Sequence, residues 1–330
     1  MNTISYGDIA RLFLEKQSFV LTTHVNPDGD GLGCEYALYH FLKREKKDVR
    51  IINTSELPEN YSFLNTDHIF EKYSQEQHPQ DIFNVDAIVI IDMNDAQRLK
   101  SLKDSIAQSN AVKMVIDHHL EPKPFADLYC IEENACACGE MLYDIFQTLP
   151  DRRLSYEMAL GLYIAIMTDT GSFRFSRTTP RVHRITSELL SLGVDPQDVY
   201  KKIFDEYSYG RTALLGRILA SMEMVCDGRA TITHVSRAMF AETGTQETDV
   251  ENVVNYGLTI RGVDATVLLV ELDDGVKISF RSRGEIAINE VAKQFGGGGH
   301  KNASGARLFG VRLSDVKAQV IEALEALLKN

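Results

Sequence analysis

Residues 18–33 read SFVLTTHVNPDGDGLG, an apolar run followed at once by His24, Asp28 and Asp30. SFVLT is typical of a buried β-strand, DGDGLG is expected as a loop, and GCEYALYHFLKREKK is expected as the next helix. Asn-Pro-Asp-Gly is also ordinary turn chemistry, so the stretch alone equally predicts a tight loop with no further function. The strands that follow favour one of these interpretations.

Two further apolar strands end in polar residues. AIVIID ends at Asp92, and VKMVID ends at Asp117, which is followed by His118 and His119. Helical patterns alternate with these strands, which predicts an α/β domain with a largely parallel sheet flanked by helices. Because such folds bind ligands at the carboxyl edge of the sheet, we expect these side chains to meet there. The alternative is that these are ordinary polar residues of loops without a shared function. That explanation would have to hold independently at each of the three strand ends.

The carboxylates at this edge favour a metal site. LSYEMALGLYIAIMTDT is predicted as a helix that ends at Asp169, a fifth carboxylate beside Asp28, Asp30, Asp92 and Asp117. Like charges at short range raise one another's pKa, so the five could not all stay ionised without cations. Carboxylate and imidazole ligands without thiolate suit Mn²⁺ better than Ca²⁺ or a structural zinc, with Mg²⁺ and Co²⁺ as alternatives. We expect two divalent metal ions, roughly 3.5–4 Å apart, with Asp92 between them.

The composition limits the partners and the compartment. The chain has 330 residues, a length typical of two domains, and its 47 acidic and 35 basic side chains give a formal net charge of -12. Such a surface repels long polyanions, so we expect no binding to long duplex nucleic acid, whereas small anionic substrates fit a metal site. The N-terminal residues do not resemble a secretory leader, and no apolar run has membrane length, which predicts a cytoplasmic protein without a membrane partner.

The five cysteines predict neither a disulfide framework nor a structural zinc site, and Cys136-Ala-Cys138 is interpreted as the packed start of a helix.

The last third of the chain has a different pattern. RATITHVS, DATVLLVELDDGVKISFRSR and ASGARLFG are strand patterns between helical segments, which predicts a smaller C-terminal α+β domain with a mixed sheet. AQRLKSLKDSIAQ in the first domain and TDVENVVNYGLTI in the second are predicted as helices. We place the first domain at 1–192, a linker at 193–212 and the second domain at 213–330.

These motifs together resemble a known family. His24-x-x-x-Asp28-x-Asp30, the strand-end Asp92, the triplet at 117–119 and MTDTG with Asp169 are similar to the motifs of the DHH phosphoesterase superfamily. GGGGHKNASGA at 296–306 resembles the glycine-rich signature of the DHH-associated C-terminal domain, except that Ser304 stands where Ala is more frequent. The two-domain layout most resembles the NrnA-type oligoribonucleases.

The resemblance implies roles for the metal-site residues. His24, Asp28 and Asp92 would hold one ion, and Asp30, Asp92, His118 and Asp169 would hold the other, with Asp92 as the bridge. His119 would face the substrate phosphate as a stabiliser or proton donor, and Asp117 would orient the imidazoles. The two ions would activate a water for in-line attack on phosphorus, without a covalent enzyme intermediate.

The glycine-rich signature predicts a substrate site in the second domain. Four consecutive glycines more often form a flexible loop, but the amides of Gly297, Gly298 and Gly299 with His300 could form an anion nest. Arg281 and Arg283 alternate on a strand and are expected to contact phosphate or base. Arg261, Lys277 and Lys301 are expected at the solvated surface. Phe173 and Arg174 lie close after Asp169 and could contact the substrate, and a core role is the alternative for Phe173.

The function implied by the resemblance is hydrolysis of very short RNA and of 3′-phosphoadenosine 5′-phosphate to mononucleotides. The expected partners are short single-stranded RNA or DNA and adenosine nucleotides, and a homodimer is compatible with the sequence. A linear dinucleotide hydrolase acting on pApA is the main alternative. A manganese pyrophosphatase fits less well because those enzymes lack the GGGGH signature. An inactive nucleotide-binding sensor belongs to another class, and the complete ligand set argues against it.

Overall fold

The computed structural model describes residues 1–329, and at His300 the backbone alone. The chain divides into two compact units, Met1–Glu206 and a second one that begins at Tyr207. Among the helices of residues 1–329, none is both long enough and apolar enough to cross a bilayer.

The first unit is built on a six-stranded sheet in the order β3-β2-β1-β4-β5-β6, and every pairing is parallel. The strands are β1 Ser18–Thr22, β2 Asp48–Asn53, β3 Phe70–Lys72, β4 Ala87–Ile91, β5 Val112–Asp117 and β6 Leu128–Ile131. The helices are α1 Tyr6–Glu15, α2 Gly29–Arg44, α3 Pro79–Phe83, α4 Lys103–Gln108, α5 Cys138–Gln147, α6 Tyr156–Asp169, α7 Pro180–Ser191 and α8 Pro196–Tyr200. The predicted parallel α/β architecture is confirmed.

Strand β4 shows why this sheet is covered on both faces. All of its residues are buried, with Val89 and Ile91 in one apolar cluster and Ile88 and Ile90 in another on the opposite face. An uninterrupted apolar run therefore forms the strand, because both alternating sets of side chains need cover. The strand order reverses between β1 and β4, the position at which such sheets open a crevice for ligands.

Helices α2 and α6 pack unusually closely. A Cβ atom on Gly33 would lie 2.4 Å from the Gly161 carbonyl oxygen, and a Cβ on Gly161 would lie 2.4 Å from the Gly33 carbonyl oxygen. The two backbones therefore approach at a distance that only glycine permits. This contact supports the side of the crevice that carries Asp30, in the first turn of α2, and Asp169, the last residue of α6.

Three segments differ from the sequence prediction. Helix α2 begins at Gly29 and not after the glycine loop, because the Asp28 side chain accepts hydrogen bonds from the amides of Asp30 and Gly31 and caps the helix. The predicted helix at 96–108 is a 3₁₀ segment, Ala96–Leu102, followed by α4, with positive φ at Lys100. The predicted helix TDVENVVNYGLTI is two 3₁₀ segments, Glu247–Val250 and Val253–Thr259, separated at Asn252, whose φ of 62° interrupts an α-helix.

The second unit contains a mixed sheet, as predicted, and its six strands lie in the order β11-β12-β10-β9-β8-β7. The strands are β7 Glu223–Val225, β8 Ala230–Val235, β9 Ala265–Leu272, β10 Gly275–Ser282, β11 Gly298–His300 and β12 Ala303–Phe309. The helices are α9 Tyr209–Ala220, α10 Arg237–Thr243, α11 Asn289–Gln294 and α12 Leu313–Leu328. Strands β8 and β9 are parallel and the other neighbours are antiparallel. Helices α11 and α12 contribute to the apolar cluster on one face, and α9 contributes to the cluster on the other.

The segment placed as a linker contains regular structure. It includes α8 and a π-helical turn, Lys201–Asp205, and Val194, Val199 and Ile203 are buried in the core of the first unit. Residues up to Glu206 therefore belong to that unit, and α9 begins at Tyr209.

Candidate functional site

The first group of ligand atoms comes from residues that follow the carboxyl ends of the neighbouring strands β1 and β4 and from the N-cap of α2. His24 Nε2 is 3.4 Å from Asp92 Oδ2 and 3.8 Å from Asp28 Oδ2. His24 Nδ1 lies 2.8 Å from the Val25 carbonyl oxygen, and donation there leaves Nε2 as a lone-pair donor toward the carboxylates. These three residues can converge on one cation.

The second group lies on the other side of Asp92. His118 Nε2 is 3.6 Å from Asp30 Oδ2, 3.6 Å from Asp92 Oδ1 and 3.3 Å from Asp169 Oδ2. The His118 Nδ1 atom lies 3.2 Å from the Ala135 carbonyl oxygen, so its other nitrogen faces the carboxylates. Asp92 thus presents Oδ2 to one group and Oδ1 to the other, the geometry of a bridging carboxylate.

Backbone structure fixes both central carboxylates. Asp92 has a φ of 59°, an unusual conformation for a residue other than glycine, and its amide donates to the Ile116 carbonyl at 2.9 Å. Asp30 accepts from the amides of Cys138 at 2.7 Å and Gly139 at 3.0 Å, at the N-terminus of α5. These donors hold a buried carboxylate in place, and the helix N-terminus favours its negative charge.

His119 and Asp117 form a pair beside the cluster. His119 Nδ1 is 2.6 Å from Asp117 Oδ1 and 3.5 Å from Asp92 Oδ1. Asp117 is fully buried, and within residues 1–329 its Oδ2 atom has no hydrogen-bond partner. Asp117 therefore orients His119, whereas the Ala135 carbonyl orients His118.

The electrostatics of the cluster fit bound cations. Burial, followed by the charge of Asp92, raises the pKa of Asp30 to about 8, and burial and Asp30 raise the pKa of Asp169. Burial would also raise the pKa of Asp92, but hydrogen bonds from His118 and His24 outweigh it and hold that pKa below its ordinary value. Burial opposes protonation of His118, yet the carboxylates around it raise its pKa to about 10. Protons thus stand in for positive charge that divalent cations would supply, and the oxygen and nitrogen donors suit such ions.

In the second unit, the glycine-rich signature is mostly strand. Gly298–His300 forms β11, and a Cβ on Gly297 would lie 2.1 Å from the Gly305 carbonyl oxygen. The register places both His300 and Arg281 opposite Ala303, so all three occupy one row across the sheet. The role predicted for the His300 side chain lies outside the described atoms.

Arg281 and Arg283 differ in their surroundings. The Arg281 guanidinium is partly buried and donates to the Phe280 carbonyl at 2.9 Å, and among residues 1–329 no carboxylate pairs with it. Burial lowers its pKa, and a partly desolvated cation of this kind is suited to an anionic ligand. Arg283 is exposed and donates to the Leu258 carbonyl oxygen. Lys277 and Lys301 form ion pairs with Glu247 and Glu285.

Comparison with known proteins identifies the family. Residues 18–166 match the DHH family, N-terminal domain, and residues 231–330 match the DHHA1 domain. A bifunctional oligoribonuclease and PAP phosphatase NrnA from Thermus thermophilus is 31% identical over 307 residues, which cover 92% of this chain and 88% of that protein. The chain belongs to the DHH/DHHA1 phosphoesterase family.

Two other similar proteins extend the comparison. An exopolyphosphatase-related protein from Bacteroides fragilis has a solved structure with a TM-score of 0.91 and 31% identity, covering 98% of both chains. A cyclic-di-AMP phosphodiesterase, PdeA, from Listeria monocytogenes is 28% identical over 250 residues, which cover 73% of this chain and 36% of that protein. The family predicted from the motifs is confirmed.

Two residues beside this DHH/DHHA1 phosphoesterase site were not predicted from the sequence to be part of it. Cys138 begins a packed helix, as interpreted, but its Sγ atom also lies 3.9 Å from Asp92 Oδ1. Arg177 Nη1 donates to the Ala135 carbonyl at 3.3 Å and lies 3.5 Å from His118 Nδ1. Their positions in the sequence could have indicated them, since Cys138 begins the helix after β6 and Arg177 closely follows Asp169.

The segment after Asp169 is conformationally unusual. Gly171, Ser172 and Phe173 have φ values of 56°, 57° and 64°, a run of left-handed conformations that costs energy at the two residues other than glycine. The Phe173 ring packs near Tyr163, with 6.1 Å between ring centroids, which favours the core role. Arg174 is exposed and donates through Nε to the Gly171 carbonyl at 2.6 Å.

Proposed function

We propose that this protein is a two-metal phosphoesterase that hydrolyses very short oligoribonucleotides and 3′-phosphoadenosine 5′-phosphate to mononucleotides. The observation that carries the proposal is Asp92, whose two oxygens face separate groups of ligand atoms. The substrate class rests on the similarity to the NrnA protein of Thermus thermophilus, whose name states both activities.

The geometry supports the roles that the family resemblance implies for the metal-site residues. His24 and Asp28 would hold one ion, Asp30, His118 and Asp169 would hold the second, and Asp92 would contact both. Two divalent ions at this position, with Mn²⁺ as first choice and Mg²⁺ or Co²⁺ as alternatives, would activate water and neutralise charge on the phosphoryl oxygens. His119, held by Asp117 outside both groups, is placed to stabilise or protonate the substrate phosphate.

The second unit would bind the part of the substrate that does not react. The row containing Arg281 and His300, together with the amides of Gly297, Gly298 and Gly299, would hold a phosphate or a base, with Arg283 at the edge. The partly buried Arg281, without a carboxylate partner among the described residues, supports this role.

One panel of substrates tests the proposal. Purified protein with Mn²⁺ would be given RNA and DNA of graded length, 3′-phosphoadenosine 5′-phosphate, linear pApA and inorganic pyrophosphate, and initial rates would be compared. We expect the highest rates with RNA of two to five nucleotides and with 3′-phosphoadenosine 5′-phosphate. Hydrolysis of pyrophosphate alone would contradict the proposal, and binding of nucleotides without turnover would identify a sensor.

A linear dinucleotide hydrolase is the second candidate. The similarity to the cyclic-di-AMP phosphodiesterase PdeA covers 73% of this chain and favours a dinucleotide substrate related to cyclic di-AMP. The chemistry at the metals would be the same, so the comparison of pApA with other dinucleotides in the panel decides between them. A rate for pApA far above those for RNA dinucleotides of other sequence would favour this candidate.

A further inference from the structure

Cys138 places a sulfur atom among the ligand atoms of the second group. Its Sγ lies 3.9 Å from Asp92 Oδ1 and 3.5 Å from the Ile116 carbonyl oxygen, and the side chain is fully buried. One ligand atom from each of Asp30, Asp92, His118 and Cys138 lies within 4.8 Å of the others. The expectation of a site without thiolate therefore omitted one donor.

The position of this sulfur is set by the same contacts that hold Asp30. The Cys138 amide donates to Asp30 Oδ2 at 2.7 Å, so the first residue of α5 cannot move without moving a metal-site carboxylate. The Cys34 thiol also lies near Asp30, with its Sγ 3.6 Å from Oδ1. That oxygen already accepts from the Gly139 amide, and Cys34 belongs to none of the ligand groups among the described residues. Cys34 is thus a matched control, because it is equally buried and close to the same carboxylate.

Sulfur changes which ions the group can hold. Manganese and magnesium ions prefer oxygen ligands, whereas zinc and cadmium bind thiolate strongly. One imidazole, two carboxylates and one thiolate are a suitable donor set for a four-coordinate thiophilic ion.

We propose that Cys138 makes the second group a binding site for thiophilic divalent cations, which exclude the ion that supports turnover. The cation forms a bond to Cys138 Sγ, the thiol proton passes to the buffer, and Asp30, Asp92 and His118 complete the coordination. No electron is transferred in this step. The inference rests on the proposed function, because it concerns the same cluster.

Cadmium titration of the whole metal-free protein tests the inference directly. Sulfur-to-cadmium charge transfer absorbs in the ultraviolet, so the wild type and Cys34→Ser should gain this absorbance, and Cys138→Ser should not. With Mn²⁺ present, half inhibition of Cys138→Ser should need on the order of tenfold more Cd²⁺ or higher, because loss of a ligand weakens the metal site. Equal absorbance in Cys138→Ser, or none in the wild type, would overturn the inference.

A second measurement does not depend on how the variant folds. X-ray absorption at the zinc edge of the zinc-loaded wild type should show a sulfur neighbour, one for every two ions when both groups are filled. Oxygen and nitrogen neighbours alone would also overturn the inference. The two proposals fail separately. A cadmium–sulfur signal without phosphoester hydrolysis would contradict only the proposed function, and hydrolysis with Mn²⁺ without that signal would contradict only the role of Cys138.

Discussion

At the scale of single residues, Asp92 is the side chain shared by both groups of ligand atoms. Asp92→Ala removes a donor from each group, so we expect both ions to be lost and the rate to fall on the order of a thousandfold or more. Metal content by atomic spectroscopy and initial rates would be measured together. Asp67→Asn, a change at an exposed aspartate, is the control, and wild-type activity in Asp92→Ala would refute the two-metal arrangement.

His118 and His119 are neighbours with different environments. His118 Nε2 faces three carboxylates, whereas His119 Nδ1 is paired with Asp117. His118→Ala should therefore reduce metal content. His119→Ala should retain the metal and lower kcat by roughly 10²–10⁴, the range for loss of a proton donor. Equal loss of metal in both variants would show that the two roles are wrongly assigned.

Buried acids make the metal-free protein sensitive to pH. Burial raises the pKa of Asp30 and of Glu35 to about 8, from ordinary values of 3.8 and 4.5. Each acid contributes stability below its ordinary pKa that is lost as pH rises to about 8, and His118, with a pKa raised to about 10, acts in the same direction. We expect the Tm of the metal-free protein to fall by roughly 5 °C or more between pH 5 and pH 8.

Two comparisons make this pH prediction specific. Saturating Mn²⁺ should reduce the fall in Tm, because the ions replace the protons of the cluster. Glu35→Gln should also reduce it, because the glutamine amide does not titrate and its oxygen can still accept from Asn53, as Glu35 does at 2.8 Å. A metal-free Tm that rises from pH 5 to pH 8 would contradict the prediction.

At the scale of elements, the contact between α2 and α6 supports Asp30 and Asp169. Gly33→Ala or Gly161→Ala would place a methyl group 2.4 Å from a backbone oxygen of the other helix. We expect a loss of about 1–3 kcal/mol in the free energy of unfolding of the first unit, together with weaker metal binding. Urea denaturation with and without Mn²⁺ measures both effects.

The same unit offers a control for this helix contact. A Cβ on Gly7, in α1, would meet only the Ser5 hydroxyl oxygen, at 3.8 Å. Gly7→Ala should leave stability unchanged or raise it by about 0.5–1 kcal/mol, because alanine is the better helix former. Destabilisation by Gly7→Ala equal to that by Gly33→Ala would mean that close helix packing is not the cause.

At the scale of the whole molecule, the net charge of -12 limits substrate length. Additional phosphates beyond those bound by the metals and the second unit would meet an acidic surface, so longer chains gain no affinity. We expect the initial rate to peak at two to five nucleotides and to fall for longer chains. A rate that stays constant or rises up to about twenty nucleotides would indicate a processive single-strand exonuclease.

The sequence by itself determined the parallel sheet and most residues of its carboxyl edge. An apolar run such as AIVIID is local information, and the topology of parallel strands brings the residue after each run to one edge. His24, Asp92 and His118 could therefore be placed together before any coordinates existed. The start of α2 was harder to predict, because Asp28 is compatible both with a turn and with a helix N-cap. Only the folded chain shows that Asp28 is the cap and that α2 begins at Gly29.

Only the tertiary structure decided the contacts between distant segments. Cys138 and Asp92 are 46 residues apart, and the sulfur reaches the carboxylate because the N-terminus of α5 donates its amides to Asp30. The glycine pair between α2 and α6 likewise has meaning only across two helices. Periodicity and turn chemistry report which face of an element is buried, but not which atom of another element covers it. For that reason, the two oxygens of Asp92 acquire their separate partners only in the packed molecule.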